Sequence, residues 1–222
     1  MAPGRPRPGR LRRSLDLHQE IRTRREAGRE LPVLVWRFPS ALRVIASAPH
    51  GGGLGNRRWI VNAGVPGSYS RRDPDRHLAT LGISLGLPGR GVGMLTAADV
   101  RAFTTGADHG VEVVATVGLT HPILAAAPDE GPAERVGTIN VVALVPASLS
   151  DAALVNAVAT ATEAKTQALQ DAGYRSTGTP TDAVCIACTA VGAPSAFGGP
   201  RSVWGARLAR AVHHAVLAGA RA

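Results

Sequence analysis

Four side chains in this sequence are the candidates for acid–base or nucleophilic chemistry: Asp182, Glu163, Thr138 and Lys165. Asp182 closes the run Ser176-Thr177-Gly178-Thr179-Pro180-Thr181-Asp182. A Gly/Thr loop exposes backbone N–H groups and hydroxyls that can hold amide, phosphate or carboxylate oxygens. An acid placed where such a loop enters a strand is fixed at the mouth of a site. The plainer alternative is a turn with Asp182 as its Asx cap. Glu163 belongs to a stripe with Asn156, Thr160 and Gln167, at helical spacing, so the four share one face. One carboxylate among amides and hydroxyls suits a pocket wall as well as it suits a solvated face. Lys165 is the single lysine among 25 basic residues. It points about 200° from Glu163 around a helix, which rules out a same-face ion pair. An ammonium is then left for a tight pocket or for an acid on another element. Thr138, in Gly137-Thr138-Ile139-Asn140, carries a nucleophilic hydroxyl, although Thr is weak without an adjacent base. Asn140 can hold an amide, and both residues can equally serve neighbouring backbone.

Further residues are read as binding rather than reactive. Gly51, Gly52 and Gly53 follow His50 and permit close approach of backbone to a ligand. The run is neither a Walker loop nor a dinucleotide fingerprint. His50 titrates near neutrality by type, but a lone loop histidine is usually incidental. Cys185 and Cys188 are the only cysteines. Three apart on a strand they face opposite sides, so they neither chelate one metal nor bridge, and they read as small buried hydrophobes. No zinc-ligand pattern or esterase elbow is present, so no metal ligands and no cofactor are assigned, and a metal requirement is left open.

The secondary structure around these residues is clearest in the second half. Residues 111–119 and 138–145 are β-branched runs, expected as strands. Residues 149–172 form a strong helix, capped by Ser148 or Ser150 and stopped by Gly173. A strand over 182–189 and a last helix over 200–220 follow. The polar, Pro-bearing segment 121–136 is expected to be a loop. Earlier, 33–38 and 42–48 read as two strands of a hairpin around Pro39-Ser40. Residues 58–63 read as a strand, 74–86 as a helix opened by Pro74, and 93–97 and 99–105 as extended. Residues 15–28 pattern as a short polar helix and 1–14 as disordered. Hairpin-connected strands followed by strand–helix–strand–helix predict an α+β layered sandwich: a mixed, mostly antiparallel sheet with covering helices.

With 222 residues, 45% of them hydrophobic and 18% charged, the chain can bury one large core. No apolar run approaches a membrane span, and no secretory leader is visible. Five of the nine net positive charges fall in residues 1–30. An extension over 1–31 and a single domain over 32–222 are the expected organisation. The Arg-rich start raises nucleic-acid binding as an alternative. The body is only mildly basic, and aromatics at 4% give little for base stacking. Few cysteines suit a reducing cytoplasm. The oligomeric state, a homodimer included, is left open.

The string GTINVVALVPASLSDAALVNAVATATEAKTQALQDAGYRSTGTPTDAVCIAC resembles the adenosylcobinamide amidohydrolase family. So do SAPHGGG, WIVNAGVP, VGMLTAADV and VEVVATVGLT, in the same order, over about residues 43–212. Pro180 departs from the glycine-rich form of the loop before the Thr181-Asp182 pair. The resemblance implies hydrolysis of the amide joining aminopropanol to the corrin ring of adenosylcobinamide, yielding adenosylcobyric acid in cobinamide salvage. The corrinoid is then substrate and partner, not cofactor. With it, Gly51, Gly52, Gly53, Asn62, Asn140, Asn156, Thr160, Thr177, Gly178, Thr179 and Thr181 are taken as substrate-binding. Asp182, Glu163, Thr138 and Lys165 are taken as catalytic. Attack by water with Asp182 or Glu163 as base is the leading scheme, with the N–H groups of 177–179 holding the oxyanion. Thr138 as covalent nucleophile is second, and a bound metal third. A corrinoid carrier without catalysis is the competing reading. A weaker likeness to the self-processing aminopeptidase and ornithine acetyltransferase group points to an αββα order of layers.

Overall fold

Eight strands form one hydrogen-bonded sheet. The computed structural model describes residues 19–128 and 137–222. The strands are β1 (Gln19–Glu26), β2 (Arg29–Ala46), β3 (Gly53–Gly64), β4 (Gly91–Thr96), β5 (Thr104–Asp108), β6 (Val111–Gly118), β7 (Thr138–Val145) and β8 (Ala183–Cys188). The helices are α1 (Pro74–Ser84), α2 (Asp151–Asp171) and α3 (Val203–Ala220). The sheet order is β4-β3-β2-β8-β7-β6-β5, with β1 added to β2. The β3–β4 and β7–β8 pairs are parallel and the others antiparallel, so the sheet is mixed as expected.

The long strand β2 turns this one sheet into two layers. Its register against β3 slips between Arg37 and Leu42. Before the slip it runs between β1 and β3, and after it between β3 and β8. Side-chain alternation then sorts the core. Val142 and Leu144 of β7 and Cys185 and Ala187 of β8 pack on Leu34, Trp36, Ile60 and Met94 of the other half-sheet. Val141, Ala143, Ile186 and Cys188, on the opposite face, pack under α2 and α3. Val35, Trp59 and Val61 pack outward on Leu78 and Leu81 of α1. The order is therefore helices, β, β, helix: the four-layered αββα arrangement, made from one folded-over sheet.

α2 can lie close to this sheet because its buried face is mostly alanine: Ala153, Ala157, Ala161, Ala164 and Ala168. Leu154 and Leu169 anchor its two ends in the core, each contributing roughly 1.5–3 kcal/mol on burial. Ser150 caps it, accepting from Ala153 N–H at 3.1 Å. Gly173, at φ +92°, follows its last turn.

Three local expectations are corrected. The helix expected over 15–28 is a strand over 19–26, set by antiparallel pairing with β2 through the turn at Ala27 and Gly28, both at positive φ. The two strands expected around Pro39-Ser40 are one strand, because the register slip takes the proline off the ladder. The extended segment expected over 99–105 is a 3-10 turn at Val100–Ala102, then β5. Residues 1–14, residues 15–18 of the expected helix, and the part of the 121–136 loop from 129 on lie outside the described residues.

Candidate functional site

The two β layers part at one end of the sandwich, around a cavity of about 380 Å³. Met94, Leu95, Thr96 and Ala97 line it from β4 and beyond, and Val65, Pro66, Gly67 and Tyr69 from the turn after β3. Ser47 and Pro49 contribute from the end of β2, and Thr138, Thr181, Asp182 and Ala183 from the starts of β7 and β8. Parallel pairing of β7 with β8 brings Thr138 beside Thr181, because both strands begin at this end.

The floor is a hydroxyl pair. Thr138 Oγ1 and Thr181 Oγ1 are 2.8 Å apart, and Thr181 Oγ1 donates to Gly137 O at 3.1 Å. With that proton committed, Thr138 donates to Thr181 and keeps its own lone pairs for a ligand. Ser47 Oγ accepts from Val184 N–H at 3.0 Å, which leaves its proton to donate. Behind the floor, Asn140 Nδ2 donates to Asn62 Oδ1 at 2.8 Å and to Leu95 O at 2.9 Å, and Asn62 Nδ2 donates to Thr116 Oγ1 at 2.9 Å. This chain ties the two β layers together beside the cavity. Asn140 Oδ1 is buried without a partner.

On the α2 side of the strand ends, the Asp182 carboxylate receives four donors. Oδ2 accepts from Lys165 Nζ and Thr179 N–H, and Oδ1 from Ile139 N–H and the Thr179 hydroxyl. Lys165 is buried, with 8% of its side chain exposed, and Asp182 retains 12%. This fixes the loop to both strands and to α2. It explains Gly178: a Cβ there would overlap Asp182 Oδ2 and meet Lys165 Nζ at 2.5 Å.

The sequence-predicted residues thus separate into groups. Thr138, Thr181 and Asp182 meet at the cavity, with Asn62 and Asn140 behind it. Lys165, Gly178 and Thr179 form the support beneath. Thr177 is spent on the neighbouring segment, its N–H on Ile123 O and its Oγ1 accepting from Ala125 N–H. With Thr179 N–H on Asp182, two of the three N–H groups expected to hold an oxyanion are committed internally. Glu163 and Asn156 are exposed on α2, and Thr160 is buried there, donating to Gly198 O at 3.0 Å. That stripe lines no part of this cavity. Gly51, Gly52 and Gly53 form the turn between β2 and β3, held by Arg57, which donates to Gly51 O from Nε and Nη2 at 3.0 and 2.8 Å. His50 stacks on Trp59 at 5.8 Å, and burial lowers its pKa. Cys185 and Cys188 are buried on opposite faces of β8, with the Cys185 thiol pushed up to about 12 by burial.

Ser47, Thr96 and Tyr69 were not anticipated. Ser47 opens the motif SAPHGGG and Thr96 lies in VGMLTAADV, and the Pro66-Gly67 turn presents Tyr69, one of two tyrosines in the chain. Among the described residues no group of three or more His, Cys, Asp or Glu stands where it could hold a metal ion. No helix among them is long and apolar enough to cross a membrane.

Fold and site together define an α+β sandwich with a small, hydroxyl-floored pocket at its open end. Residues 14–222 match the model of the adenosylcobinamide amidohydrolase family. The chain belongs to that family, a family of hydrolases acting on an amide bond. It is 29% identical over 177 residues to an adenosylcobinamide amidohydrolase of Methanosarcina mazei, covering 76% of this chain and 85% of that protein. A second protein of that name, from Halobacterium salinarum, is 42% identical over 115 residues, 49% of each chain. Among solved structures, the PH0078 protein of Pyrococcus horikoshii aligns at TM-score 0.48 and 13% identity, over 99% of this chain and 81% of that one.

Proposed function

We propose that this chain hydrolyses the amide joining aminopropanol to a corrin side chain of adenosylcobinamide, giving adenosylcobyric acid for cobinamide salvage. The substrate comes from the family and from the two named relatives. The observation that carries the reading at this site is the Thr138–Thr181 hydroxyl pair on the floor of a cavity of about 380 Å³. That volume lies at the small end of ligand sites. It admits the amide-bearing arm while the macrocycle stays at the mouth.

In this scheme the substrate carbonyl accepts from Ser47, and a water donating to Thr138 Oγ1 attacks the carbonyl carbon. Asp182 shapes the floor and is not the base, since four donors already occupy its two oxygens. Glu163 is exposed on α2, outside the cavity, and has no part in the chemistry. The domain over 32–222 carries the floor of the site, with β1 laid along its edge. A salvage reaction and two free, buried cysteines fit a reducing cytoplasm.

The test is Thr138→Ala and Thr138→Ser, assayed for aminopropanol release. The alanine variant should lose on the order of 10²-fold in kcat, the scale of one misplaced reacting group, and the serine variant should keep most of it. Full activity in Thr138→Ala would remove the floor from the reaction.

A further inference from the structure

Hydrolysis at this floor needs a group to take the proton of the attacking water and to protonate the departing amine. The carboxylates offered by the sequence do not supply it, yet the opposite wall of the cavity leads to an unassigned chain of groups. Tyr69 sits in the turn closed by its N–H on Pro66 O at 2.9 Å, and it lines the cavity. Its hydroxyl is 2.9 Å from His77 Nδ1, and the two rings stack at 5.6 Å. His77, on α1, is buried, and its Nε2 lies 3.0 Å from Glu26 Oε1 and 3.1 Å from Oε2 on β1. Glu26 is in turn held by Arg24 Nε at 3.0 Å. A carboxylate only accepts, so Nε2 carries the hydrogen and Nδ1 is left to accept from the phenol. This is the orientation by which a carboxylate sets a histidine as base in acyl transfer.

Resting on the reaction proposed above, we propose that Tyr69, His77 and Glu26 form its proton relay, with Tyr69 the residue that touches the attacking water. As the water oxygen bonds to the carbonyl carbon, its proton passes to Tyr69 Oη while the Tyr69 proton passes to His77 Nδ1. The carbonyl π pair becomes the oxyanion, and Glu26 faces the imidazolium. On collapse the C–N bond breaks and its electron pair stays on nitrogen. The Nδ1 proton returns through Tyr69 to that nitrogen, so the relay ends as it began. Tyr69 is the catalytic residue here, and His77 and Glu26 position and charge it.

The electrostatics agree with these roles. Burial pushes the Tyr69 phenol up, so it remains a protonated hydroxyl able to pass a proton on. Burial also acts to raise Glu26, but the Arg24 hydrogen bond and the His77 and Arg24 charges hold it below its ordinary value. It is therefore ionised when His77 takes a proton. His77 lines a surface hollow of about 240 Å³ with Arg24, Arg25, Glu26 and Arg71. Asp73, which accepts from His77 N–H through its backbone, pairs with Arg71. The charged groups around the imidazole are thus one facing carboxylate, the Arg71–Asp73 pair, and the arginines of β1.

The test is aminopropanol release from adenosylcobinamide for Tyr69→Phe, His77→Gln, Glu26→Gln and Glu26→Asp, with thermal melts as fold controls. Tyr69→Phe and His77→Gln should lower kcat by about 10²–10⁴-fold with KM little changed. Glu26→Gln should also lower kcat with KM little changed, and Glu26→Asp should restore part of it, because only an ionised carboxylate faces the imidazolium. A packing role would not separate Gln from Asp in kcat. Wild-type kcat in a folded Tyr69→Phe, or wild-type kcat in Glu26→Gln, would overturn the relay. Should Tyr69→Phe fail to fold, Glu26→Gln decides alone, since its side chain is 32% exposed. Wild-type protein that releases no aminopropanol would instead sink the proposed function itself.

Discussion

Replacing Asp182 by Asn keeps the shape and removes the charge, and its cost can be worked from the contacts. The carboxylate accepts from Lys165 Nζ, Thr179 N–H, the Thr179 hydroxyl and Ile139 N–H. An amide has one accepting oxygen. If it stays on Ile139 N–H and the Thr179 hydroxyl, the NH₂ faces two donors, one of them the Lys165 ammonium. Only 8% of the Lys165 side chain is exposed, so water offers little relief. Breaking a buried ion pair costs about 3–5 kcal/mol, and an orphaned buried donor about 1–3 kcal/mol. The two overlap, and about 4 kcal/mol is the expected loss. For a domain of this size that lowers Tm by roughly 8–16 °C. Lys165→Met should cost less, because Asp182 then keeps three donors and no buried cation is stranded. The double variant should be more stable than the sum of the two single losses implies. Calorimetry on the three variants reads this directly. An Asp182→Asn protein melting within about 2 °C of wild type would refute the reasoning.

Glu163→Gln should leave turnover unchanged, since its side chain lies on the exposed side of α2; steady-state kinetics checks it. Gly178→Ala should destabilise strongly and lower activity, because its Cβ overlaps Asp182 Oδ2; a melt and a turnover assay together read both. The folded Glu26 carboxyl is held below its ordinary pKa. Its stabilising contribution is therefore full above that pH and is lost as pH falls through the folded value. Acid titration of stability, compared with Glu26→Gln, should show that component vanish in the variant. Cys185 and Cys188 are buried, and burial pushes both thiols up. A thiol reagent at mildly alkaline pH should label neither until the protein is unfolded.

Periodicity exposed most of the scaffold. The β-branched runs became β6 and β7, the capped alanine-rich segment became α2, and the cysteines took opposite faces of β8. β1 escaped because QEIRTRRE has no apolar face of its own: pairing with β2 makes it a strand. Pro39 looked like a strand end because nothing local shows that a register slip excuses it from the ladder. For the site, the Thr/Asp loop was legible as a unit, since its glycine, hydroxyls and acid are contiguous. Which acid stays free was not, because the four donors to Asp182 come from the loop, β7 and α2. Glu163 shared a stripe with polar neighbours, yet only the packing of α2 decides which face looks at the sheet. Tyr69, His77 and Glu26 come from three separate segments, and only the antiparallel β1–β2 pairing and the seat of α1 unite them.

Incubating the purified chain with adenosylcobinamide and following both products by mass spectrometry decides whether it is an amidase. Time-dependent, equimolar appearance of adenosylcobyric acid and free aminopropanol is the expected result. Adenosylcobinamide left intact under conditions where its binding is demonstrable would contradict it and leave a corrinoid carrier.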